Sequence, residues 1–493
     1  RYIDQPAQRL IFCSMRRIFL AGSVEEALME TTSVNLEDQP AHENSAGRAA
    51  PTNPRAHLRL RLARPLWLLG RVGWGTLLGL GLVFLVAQVL VVSQGPTDFC
   101  TDYVSAQRVM QGLQPYIPLH CSAGAASFPT GLHEYDTHPP SSVLLLLPFA
   151  LLSMGQATLI WGLCALAAYL VSGALLLKEL GWYSLRGAAL FVLGSMLWLP
   201  FLFSETFLNF EQLLTLLVLI AWLLARRRRH GWSGWLLGMA GLLKLWPAAL
   251  LLLPLIQRRW RAALVGGVTL ACGALLALVV VGQSAYAAYL GPVRLNETLA
   301  APADANVSLV GAVARLWTGI PNVPPLLPGL SVTEAMLLAE GLAALFLAGV
   351  VALLWWCHQR GTSEAVELLS QGLLMTALLL AFPITWYWML ITLLLPCAAT
   401  LLALRQLPRP PRWWLALLVG SLVPAAGPGW AAIRLPVWLQ QAHLASPAAW
   451  QLLVVGLPTV GLLCFAWAQF WLLWQASSAL ALDARLVSSD LDL

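Results

Sequence analysis

Two aspartates stand close together in a chain that has few charged residues. Asp98 and Asp102 belong to the stretch TDFCTDYVSAQRVMQGLQPY, residues 97–116, which follows a long apolar segment. Helical spacing in this stretch predicts a short amphipathic helix on the outer membrane surface, with these residues on or near its apolar face: Val104, Val109, Met110 and Leu113. A helix N-terminus favours a negative charge, so Asp98 would stay ionised and could accept a proton from a hydroxyl group. Asp102 is either a second contact of the same site or a solvated surface charge.

A lysine in the middle of an apolar segment is the second candidate. Lys244 lies in GLLKLWPAAL, and Lys178 is the only other lysine in the chain. An ammonium group at mid-membrane depth costs roughly 3 kcal/mol on insertion scales, so Lys244 either snorkels to an interface or faces a polar cavity. Its separation from both arginine-rich flanks favours the cavity. A compact ammonium group there would suit a phosphate.

The composition is that of an integral membrane protein. Of the 493 residues, 59% are hydrophobic and 11% are charged, whereas soluble domains carry about 25% charged residues. Recurring apolar runs predict a polytopic all-α protein with roughly ten to thirteen transmembrane helices, and a β-barrel would show short alternating stretches instead. The net charge of +6 comes from arginines in short loops, which is a topogenic pattern, so nucleic acid is not expected as a partner.

Arginine-rich segments set the expected orientation. Arginines lead into the first apolar run, 67–92, and others cluster at 225–231, 257–261 and 405–412. Positively charged loops stay in the cytoplasm, so two larger loops, 94–140 and 283–334, should be extracytoplasmic. The other predicted helices lie near 186–203, 209–225, 261–282, 335–356, 366–383, 385–404, 413–427 and 448–474. The membrane domain is therefore expected at 61–474, between a disordered cytoplasmic tail, 1–60, and a loose cytoplasmic tail, 475–493.

Two stretches do not fit a simple count of crossings. The apolar segment between 225–231 and 257–261 is too short for two full crossings, although both of its flanks are expected in the cytoplasm. Pro247 disturbs the helix before it, so two half-helices are predicted to meet near Lys244 and Trp246. The segment 141–177 is too long for one crossing and has the wrong parity for two. Its first part, SSVLLLLPFALLS, is a candidate re-entrant segment.

Several further polar residues lie on the predicted outer side. The turn FSETFLNFEQLL contains polar side chains that are either solvated or in contact with substrate: Glu205, Asn209, Glu211 and Gln212. The three histidines of the first loop, His120, His133 and His138, are not spaced like metal ligands, so no metal is expected. Cys100 and Cys121 share that loop and could form a disulfide. Of Arg294 and Arg315, at least one could pair with an anion.

Taken in order, these segments resemble glycosyltransferase family 87. The resemblance covers roughly residues 90–400 and is carried by DF…Y…A…G…PY after the first helix, PP before an apolar run, an outer N-x-x-Q turn, GLLKLWPAALLLLPLIQRRWRA, NVSLVGAVARL and AFPITWYWMLITLLLP. The family consists of membrane glycosyltransferases of the C-type fold. Its members include polyprenyl-phosphate-mannose-dependent mannosyltransferases and related arabinofuranosyltransferases.

The resemblance implies a role for each matching residue. Asp98 would be the catalytic base, Lys244 would contact the donor phosphate, and Arg315 would help to neutralise the leaving group. The residues expected to bind substrate are Asp102, Tyr103, His138, Asn209, Gln212 and Trp386. Two departures put the sugar or acceptor preference in doubt. Tyr387 and Trp388 stand where the family often has a histidine, and Glu211 replaces a common glycine.

The expected reaction moves a hexose, mannose in the first instance, from a polyprenyl phosphate to an extracytoplasmic glycan or glycolipid with inversion. The expected partners are this donor, this acceptor and membrane lipid, and neither a cofactor nor a metal is needed. The expected location is a bacterial plasma membrane. Two alternatives remain open, a secondary transporter and a lipid-linked glycan polymerase or ligase. The two large outer loops favour the transferase over the transporter.

Overall fold

The computed structural model is all-α in the part of the chain that it describes, residues 54–93, 98–118, 121, 136–320, 324–407, 410–426 and 448–491. The α-helices are α1 Pro54–Val92, α2 Phe99–Met110, α3 Pro140–Leu146, α4 Met154–Glu179, α5 Leu185–Leu197, α6 Leu199–Phe207, α7 Glu211–Arg226, α8 His230–Leu243, α9 Leu252–Ile256, α10 Trp260–Val281, α11 Gln283–Ala300, α12 Leu309–Thr318, α13 Val332–Arg360, α14 Glu364–Ala381, α15 Leu394–Leu404, α16 Arg412–Ala426 and α17 Ala448–Leu491. Three 3₁₀ segments interrupt them at Phe149–Leu151, Trp246–Leu251 and Tyr387–Leu393.

The contacts divide the chain into two units, Arg1–Trp67 and Leu68–Leu493. The described part of the first unit is the start of α1. The tail expected at 1–60 lies outside the described residues except for its last part, which belongs to α1. All the sites below lie in the second unit.

Seven of the described helical segments are long and apolar enough to cross a membrane. They are Gly70–Val92, Met154–Glu179, Trp260–Val281, Val332–Arg360, Glu364–Ala381, Tyr387–Leu404 and Val454–Leu480. Helices α5 and α6 meet at an angle of 73° and would together form an eighth span. The protein is therefore an all-α polytopic membrane protein, as the composition predicts. The total of ten to thirteen spans stays a prediction.

Most helices lie where the apolar pattern predicts them, and the differences are local. The segment 141–177 contains the short helix α3, a 3₁₀ turn and one long helix, α4. The second outer loop, 283–334, contains helices α11 and α12. The loose tail expected from 475 onward is instead helical, because α17 continues to Leu491.

The amphipathic helix predicted after Asp98 is present as α2, and its buried face is mixed rather than purely apolar. Its buried residues are Phe99, Asp102, Tyr103, Ser105 and Ala106. Met110 and Leu113, expected on the apolar face, are 50% and 48% exposed. Aromatic and polar side chains thus share the side of α2 that packs against the protein. Helix α2 therefore directs a carboxylate inward.

Two arginine-rich segments meet at the same end of α14. The Arg226 Nη2 atom lies 2.6 Å from the Glu364 Oε1 atom, and Arg259 forms an ion pair with Glu367. Both glutamates are in the first turn of α14. The segment between Arg226 and Arg259 therefore leaves this end of the molecule and returns to it, as predicted from the positive flanks.

A third arginine-rich segment reaches the same end. The Arg405 Nη2 atom donates to the Leu180 carbonyl oxygen at 2.7 Å, and Glu179, next to Leu180, pairs with Arg226 at 2.7 Å. These contacts define what we call the arginine end, formed by Glu179, Arg226, Arg259, Glu364, Glu367 and Arg405. A cavity of about 50 Å³ lies there, lined among others by Arg226, His230 and Arg259.

The returning segment is broken at its far tip. Helix α8 ends at Leu243, Lys244 has an extended backbone with φ −152° and ψ 138°, and a 3₁₀ segment begins at Trp246. Lys244 pairs with Glu211, the first residue of α7. Since α7 has 16 residues and Arg226 is its last, Lys244 lies about 22 Å from the arginine end. The predicted break near Lys244 and Trp246 is therefore present, and Lys244 does not snorkel to the arginine end.

Candidate active site

Asp98 sits where α2 begins, next to the turn between α6 and α7. Its backbone N–H donates to the Phe207 carbonyl oxygen at 3.0 Å, and its own carbonyl accepts from the Thr101 hydroxyl at 2.8 Å. The Asp98 side chain is half-buried and makes no capping hydrogen bond to α2. The backbone of Asp98 is therefore fixed, while its carboxylate is not committed to the helix cap.

The turn that holds Asp98 has an unusual backbone. Leu208 ends α6 in the left-handed region, with φ 51°, which is costly for a branched residue. The Trp161 indole N–H donates to the Leu208 carbonyl at 2.8 Å, so the conformation is held by a buried neighbour. This turn carries Asn209 and the start of α7 toward Asp98.

Asp102 forms a buried cluster with two residues of the loop that precedes α3. Its Oδ1 atom lies 2.7 Å from His138 Nδ1, and Asp136 Oδ1 lies 3.6 Å from the same nitrogen. The His138 backbone N–H also donates to Asp136 Oδ1 at 2.8 Å. Asp102 is 2% exposed and Asp136 is fully buried. His120 and His133 lie outside the described residues, so of the three histidines only His138 is placed here.

Burial and neighbouring charges shift the pKa values of this cluster. Burial raises the pKa of Asp102 to about 6, against the opposing effects of His138 and Lys244. Burial alone would lower the pKa of His138, but the charges and hydrogen bonds of Asp102 and Asp136 raise it to about 10. Imidazolium and carboxylate therefore stabilise each other. Because Lys244 acts on the pKa of Asp102, the ammonium and α2 share one electrostatic environment.

The same three groups are also close enough to hold a cation. One ligand atom from each of Asp102, Asp136 and His138 lies within 4.8 Å of the others. Carboxylates and imidazole are common metal ligands, but their mutual hydrogen bonds also account for the arrangement. The expectation that no metal is needed stays a prediction.

Lys244 reaches the site from the broken segment and meets a carboxylate. Its ammonium donates to Glu211 Oε1; Glu211 is fully buried, and the Lys244 side chain is 16% exposed. The Asn209 Oδ1 atom accepts from the Glu211 backbone N–H at 3.1 Å, which fixes the first turn of α7. Lys244 is therefore held beside Asn209 and Glu211, at the opposite end of α7 from Arg226.

The four polar residues singled out in the turn 203–214, Glu205, Asn209, Glu211 and Gln212, are buried rather than solvated. Gln212 donates to Glu205 Oε1 at 3.1 Å, and Ser204 donates to Asn209 Oδ1 at 3.2 Å. Several buried side-chain atoms at this end have no hydrogen-bond partner among the described residues: Asp136 Oδ2, Glu205 Oε2, Asn209 Nδ2, Glu211 Oε2, Gln212 Oε1 and Trp246 Nε1. Buried polar groups normally find partners, so Asn209, Glu211 and Gln212 have the hydrogen-bonding capacity that a hydroxylated ligand would need.

Tyr103, expected to bind substrate, forms hydrogen bonds with other residues of the protein. It is 3% exposed, donates to the Leu152 carbonyl oxygen at 2.6 Å and accepts from Gln107 Nε2 at 2.7 Å. These contacts join α2 to the loop before α4. Its expected role in binding stays a prediction.

Asn306 joins the two later motifs that the sequence singles out. Its Nδ2 atom donates to the carbonyls of Ala301 and Pro383 at 2.8 and 2.9 Å, and its Oδ1 atom accepts from the N–H groups of Ser308 and Thr385 at 3.1 and 2.9 Å. An isolated antiparallel bridge between Asn306 and Trp386 continues the contact. NVSLVGAVARL and AFPITWYWMLITLLLP are thus one structural unit.

Arg315 stabilises that unit through hydrogen bonds to its backbone. Its Nη1 atom donates to the carbonyls of Ala303 and Asn306, each at 2.8 Å, and Arg315 is 2% exposed. Its Nη2 atom has no hydrogen-bond partner among the described residues. Arg315 therefore holds the loop before α12, and its expected contact with a leaving phosphate stays a prediction.

Trp386 belongs to an aromatic row that leads back to Asp98. The Trp386 and Trp388 rings stack at 5.2 Å and 15°, and Trp388 meets Phe207 at 4.4 Å. Trp386, Trp388 and Phe207 are each half-buried. Because the Phe207 carbonyl binds the Asp98 N–H, the row connects the later motif to the start of α2.

A disulfide also fixes the first turn of α2. Cys100 and Cys121 are bonded, with their Cα atoms 5.9 Å apart, as their shared loop allows. Cys100 lies between Asp98 and Asp102 in the first turn of α2. The bond therefore limits the movement of both carboxylates.

The pairing of Glu211 with Lys244, and the part played by Asp136, are not evident from the sequence. Glu211 is one of four polar residues in a turn, and nothing in the sequence distinguishes it from the others. Asp136 precedes His138 by two residues, in a loop where the sequence analysis considers only the histidines. A fully buried acid opposite Lys244 could have been inferred for Glu211, because an ammonium group within an apolar segment needs a counter-charge.

Comparison with known proteins identifies the family of this chain. Residues 137–383, half of the chain, match the model of glycosyltransferase family 87. A 217-residue segment is 29% identical to a polyprenol-phosphate-mannose-dependent alpha-(1-2)-phosphatidylinositol mannoside mannosyltransferase of Mycobacterium tuberculosis. That match covers 41% of this chain and 50% of the relative, so the chain spans about half the length of the curated relative. His138, Glu211, Lys244 and Arg315 fall within the family match, and Asp98 and Asp102 precede it. This chain belongs to glycosyltransferase family 87.

Proposed function

We propose that this protein is a glycosyltransferase that moves a hexose, mannose in the first instance, from a polyprenyl phosphate to a glycan or glycolipid acceptor. The observation that carries the proposal is that an ammonium group, Lys244, reaches the same end of the helices as two carboxylates on α2, Asp98 and Asp102. The family match and the polyprenol-phosphate-mannose dependence named for the mycobacterial relative support the donor class.

Asp98 is assigned as the general base. Its backbone is fixed between α2 and the Phe207 turn, and the residue is half-buried, so an acceptor can approach it from outside. Asp102, one helical turn further on, is buried against His138. We therefore assign proton transfer to Asp98 and positioning to Asp102.

In the proposed step, the acceptor hydroxyl attacks the anomeric carbon as Asp98 takes its proton, which inverts the configuration through an oxocarbenium-like transition state. The bond between the anomeric carbon and the phosphate oxygen breaks, and polyprenyl phosphate leaves with one additional negative charge. A preorganised cation stabilises such charge most strongly where water is excluded. Lys244 supplies that cation.

Further substrate contacts are assigned to the polar and aromatic residues of the same end. Asn209 and Gln212 each keep one buried atom without a partner, and Trp386 offers a half-buried ring face for a sugar or an isoprenoid chain. His138 orients Asp102. Arg315 and Tyr103 hold the surrounding loops in place, and the dianionic product would be drawn toward the Arg315 guanidinium.

We place the site on the extracytoplasmic side of a bacterial plasma membrane. The arginine end gathers three positively charged segments, the kind that stay in the cytoplasm, and Lys244 lies at the opposite end of α7. The Cys100–Cys121 disulfide is close to Asp98, and disulfides persist in oxidising compartments. Both observations support the same orientation.

The test is transfer by the purified protein in liposomes from radiolabelled polyprenyl-phosphate mannose to a mannosylated lipid, without any ion gradient. We expect labelled product in the lipid fraction and release of polyprenyl phosphate in equal amount. Uptake of label without bond formation would indicate a transporter, and transfer of whole lipid-linked oligosaccharides in place of single sugars would indicate a polymerase or ligase.

A further inference from the structure

Glu211 has one carboxylate oxygen engaged and the other available. Its Oε1 atom accepts from the Lys244 ammonium, while its Oε2 atom is buried and has no hydrogen-bond partner among the described residues. The carboxylate is fully buried, and the Asn209 side chain fixes the backbone N–H of Glu211. Glu211 is therefore a fixed acceptor, one oxygen of which lacks a hydrogen-bond donor among the described residues.

The position of that free oxygen follows from the position of the ammonium. If Lys244 binds the donor phosphate, the phosphate lies beside Glu211, because the two side chains are in contact. In a sugar 1-phosphate, the hydroxyl nearest to the phosphate is on the ring carbon next to the anomeric carbon. A carboxylate that shares the lysine with the phosphate can therefore meet this hydroxyl with its second oxygen.

We propose that Glu211 is a donor-specificity residue, whose Oε2 atom accepts a hydrogen bond from the hydroxyl on the carbon adjacent to the anomeric carbon. The inference rests on the proposed function, since it takes Lys244 as the phosphate-binding group. A hydrogen bond to a carboxylate is stronger than one between neutral groups, and hydrogen bonds to this hydroxyl strengthen as an oxocarbenium-like transition state forms. Glu211 would thus act on turnover as well as on binding.

Glu205 provides a matched control. It is also a buried carboxylate, 2% exposed, with an Oε2 atom that has no hydrogen-bond partner among the described residues. Its hydrogen-bond partner is Gln212 rather than Lys244. If the loss of any buried carboxylate changed the preference between donors, replacing Glu205 or Glu211 would change it equally. A contact with the sugar hydroxyl next to the phosphate would be affected only by replacing Glu211.

The experiment compares polyprenyl-phosphate mannose with its 2-deoxy and 4-deoxy analogues in the wild-type protein, Glu211→Gln and Glu205→Gln. We expect the wild-type kcat/KM to be about 10- to 100-fold lower for the 2-deoxy donor, which is the range for a hydrogen bond to a charged group. Glu211→Gln should bring that ratio close to one by slowing the natural donor. The 4-deoxy ratio should stay the same in Glu211→Gln, and Glu205→Gln should keep the wild-type 2-deoxy ratio.

The outcomes separate this inference from the proposed function. A wild-type protein that uses the 2-deoxy donor as well as the natural one would overturn the role of Glu211, even if no variant folds. So would a Glu211→Gln protein that keeps the wild-type ratio, or loss of the ratio in Glu205→Gln instead. If the wild-type protein transfers no sugar from any of the three donors, it is the proposed function that fails.

Discussion

Asp102 and His138 come from different segments and form a buried pair, in which Asp102 Oδ1 lies 2.7 Å from His138 Nδ1. Asp102 lies on α2, and His138 lies just before α3, with Asp136 on the other side of the imidazole. The pair connects the helix that carries Asp98 to the segment where the family match begins. It accounts for the burial of Asp102 and Asp136, which form no ion pair with a lysine or arginine among the described residues.

The stability of this pair should depend on pH. Although burial alone would lower it, the pKa of His138 is held at about 10 in the folded protein by the two carboxylates, above the ordinary 6.5. The stabilisation is therefore fully present below about pH 6.5 and is lost as the pH rises through about 10. Melting temperatures in detergent should fall over this range in the wild-type protein, and His138→Gln should flatten the curve. His230→Gln, at the arginine end, is the matched control and should keep the slope; an unchanged slope in His138→Gln would contradict the pairing.

Replacing Lys244 should affect stability and activity in separable ways. Lys244→Met leaves the fully buried Glu211 without its cation, which typically costs about 3–5 kcal/mol. The double variant Lys244→Met with Glu211→Gln removes both charges and should recover most of the melting temperature. Transfer should stay low in both variants, with donor use reduced more than acceptor use. Recovery of activity along with stability would show that Lys244 is only structural.

Asn306 should be required for the later motifs to stay together. Asn306→Ala removes four hydrogen bonds and leaves the buried N–H groups of Ser308 and Thr385 without their acceptor, which we expect to cost about 2–4 kcal/mol. The melting temperature should fall clearly. Asn306→Asp keeps the acceptor oxygen but turns a carboxylate oxygen toward the carbonyls of Ala301 and Pro383, so it should also melt below the wild type. Equal melting temperatures for Asn306→Ala and the wild type would mean that the two segments are held by other contacts.

The disulfide should be present in protein isolated without reductant. Peptide mass spectrometry should find Cys100 linked to Cys121, and the cross-link closes a loop with a sequence separation of 21, which corresponds to about 3 kcal/mol in the chain-entropy model. Cys121→Ser should therefore unfold at a lower temperature than Cys464→Ser, a cysteine outside the bond. Free thiols at both Cys100 and Cys121 would contradict the structure and weaken the proposed orientation.

The sequence predicts much of the fold because membrane insertion requires long apolar segments and a biased distribution of arginines. Apolar runs and arginines give the helices and the returning segment around Lys244, since a helix must span the hydrocarbon and arginines stay on one side. The pairing of Lys244 with Glu211 and of Asp102 with His138 depends on packing between distant segments. This packing cannot be inferred from a single sequence. The buried face of α2 combines Asp102 and Ser105 with Phe99 and Tyr103, so apolar periodicity alone does not reveal that Asp102 and Tyr103 point inward.

Proton transfer from the acceptor to Asp98 can be examined with the Asp98→Asn variant. Its rate of transfer from polyprenyl-phosphate mannose should fall by about 100- to 10,000-fold, the usual contribution of a general base. Donor binding and the melting temperature should remain near the wild-type values, because asparagine keeps the size of the side chain and the backbone N–H that binds the Phe207 carbonyl. A folded Asp98→Asn protein that transfers sugar at the wild-type rate would contradict the account, and Asp102 would then be the next carboxylate to examine.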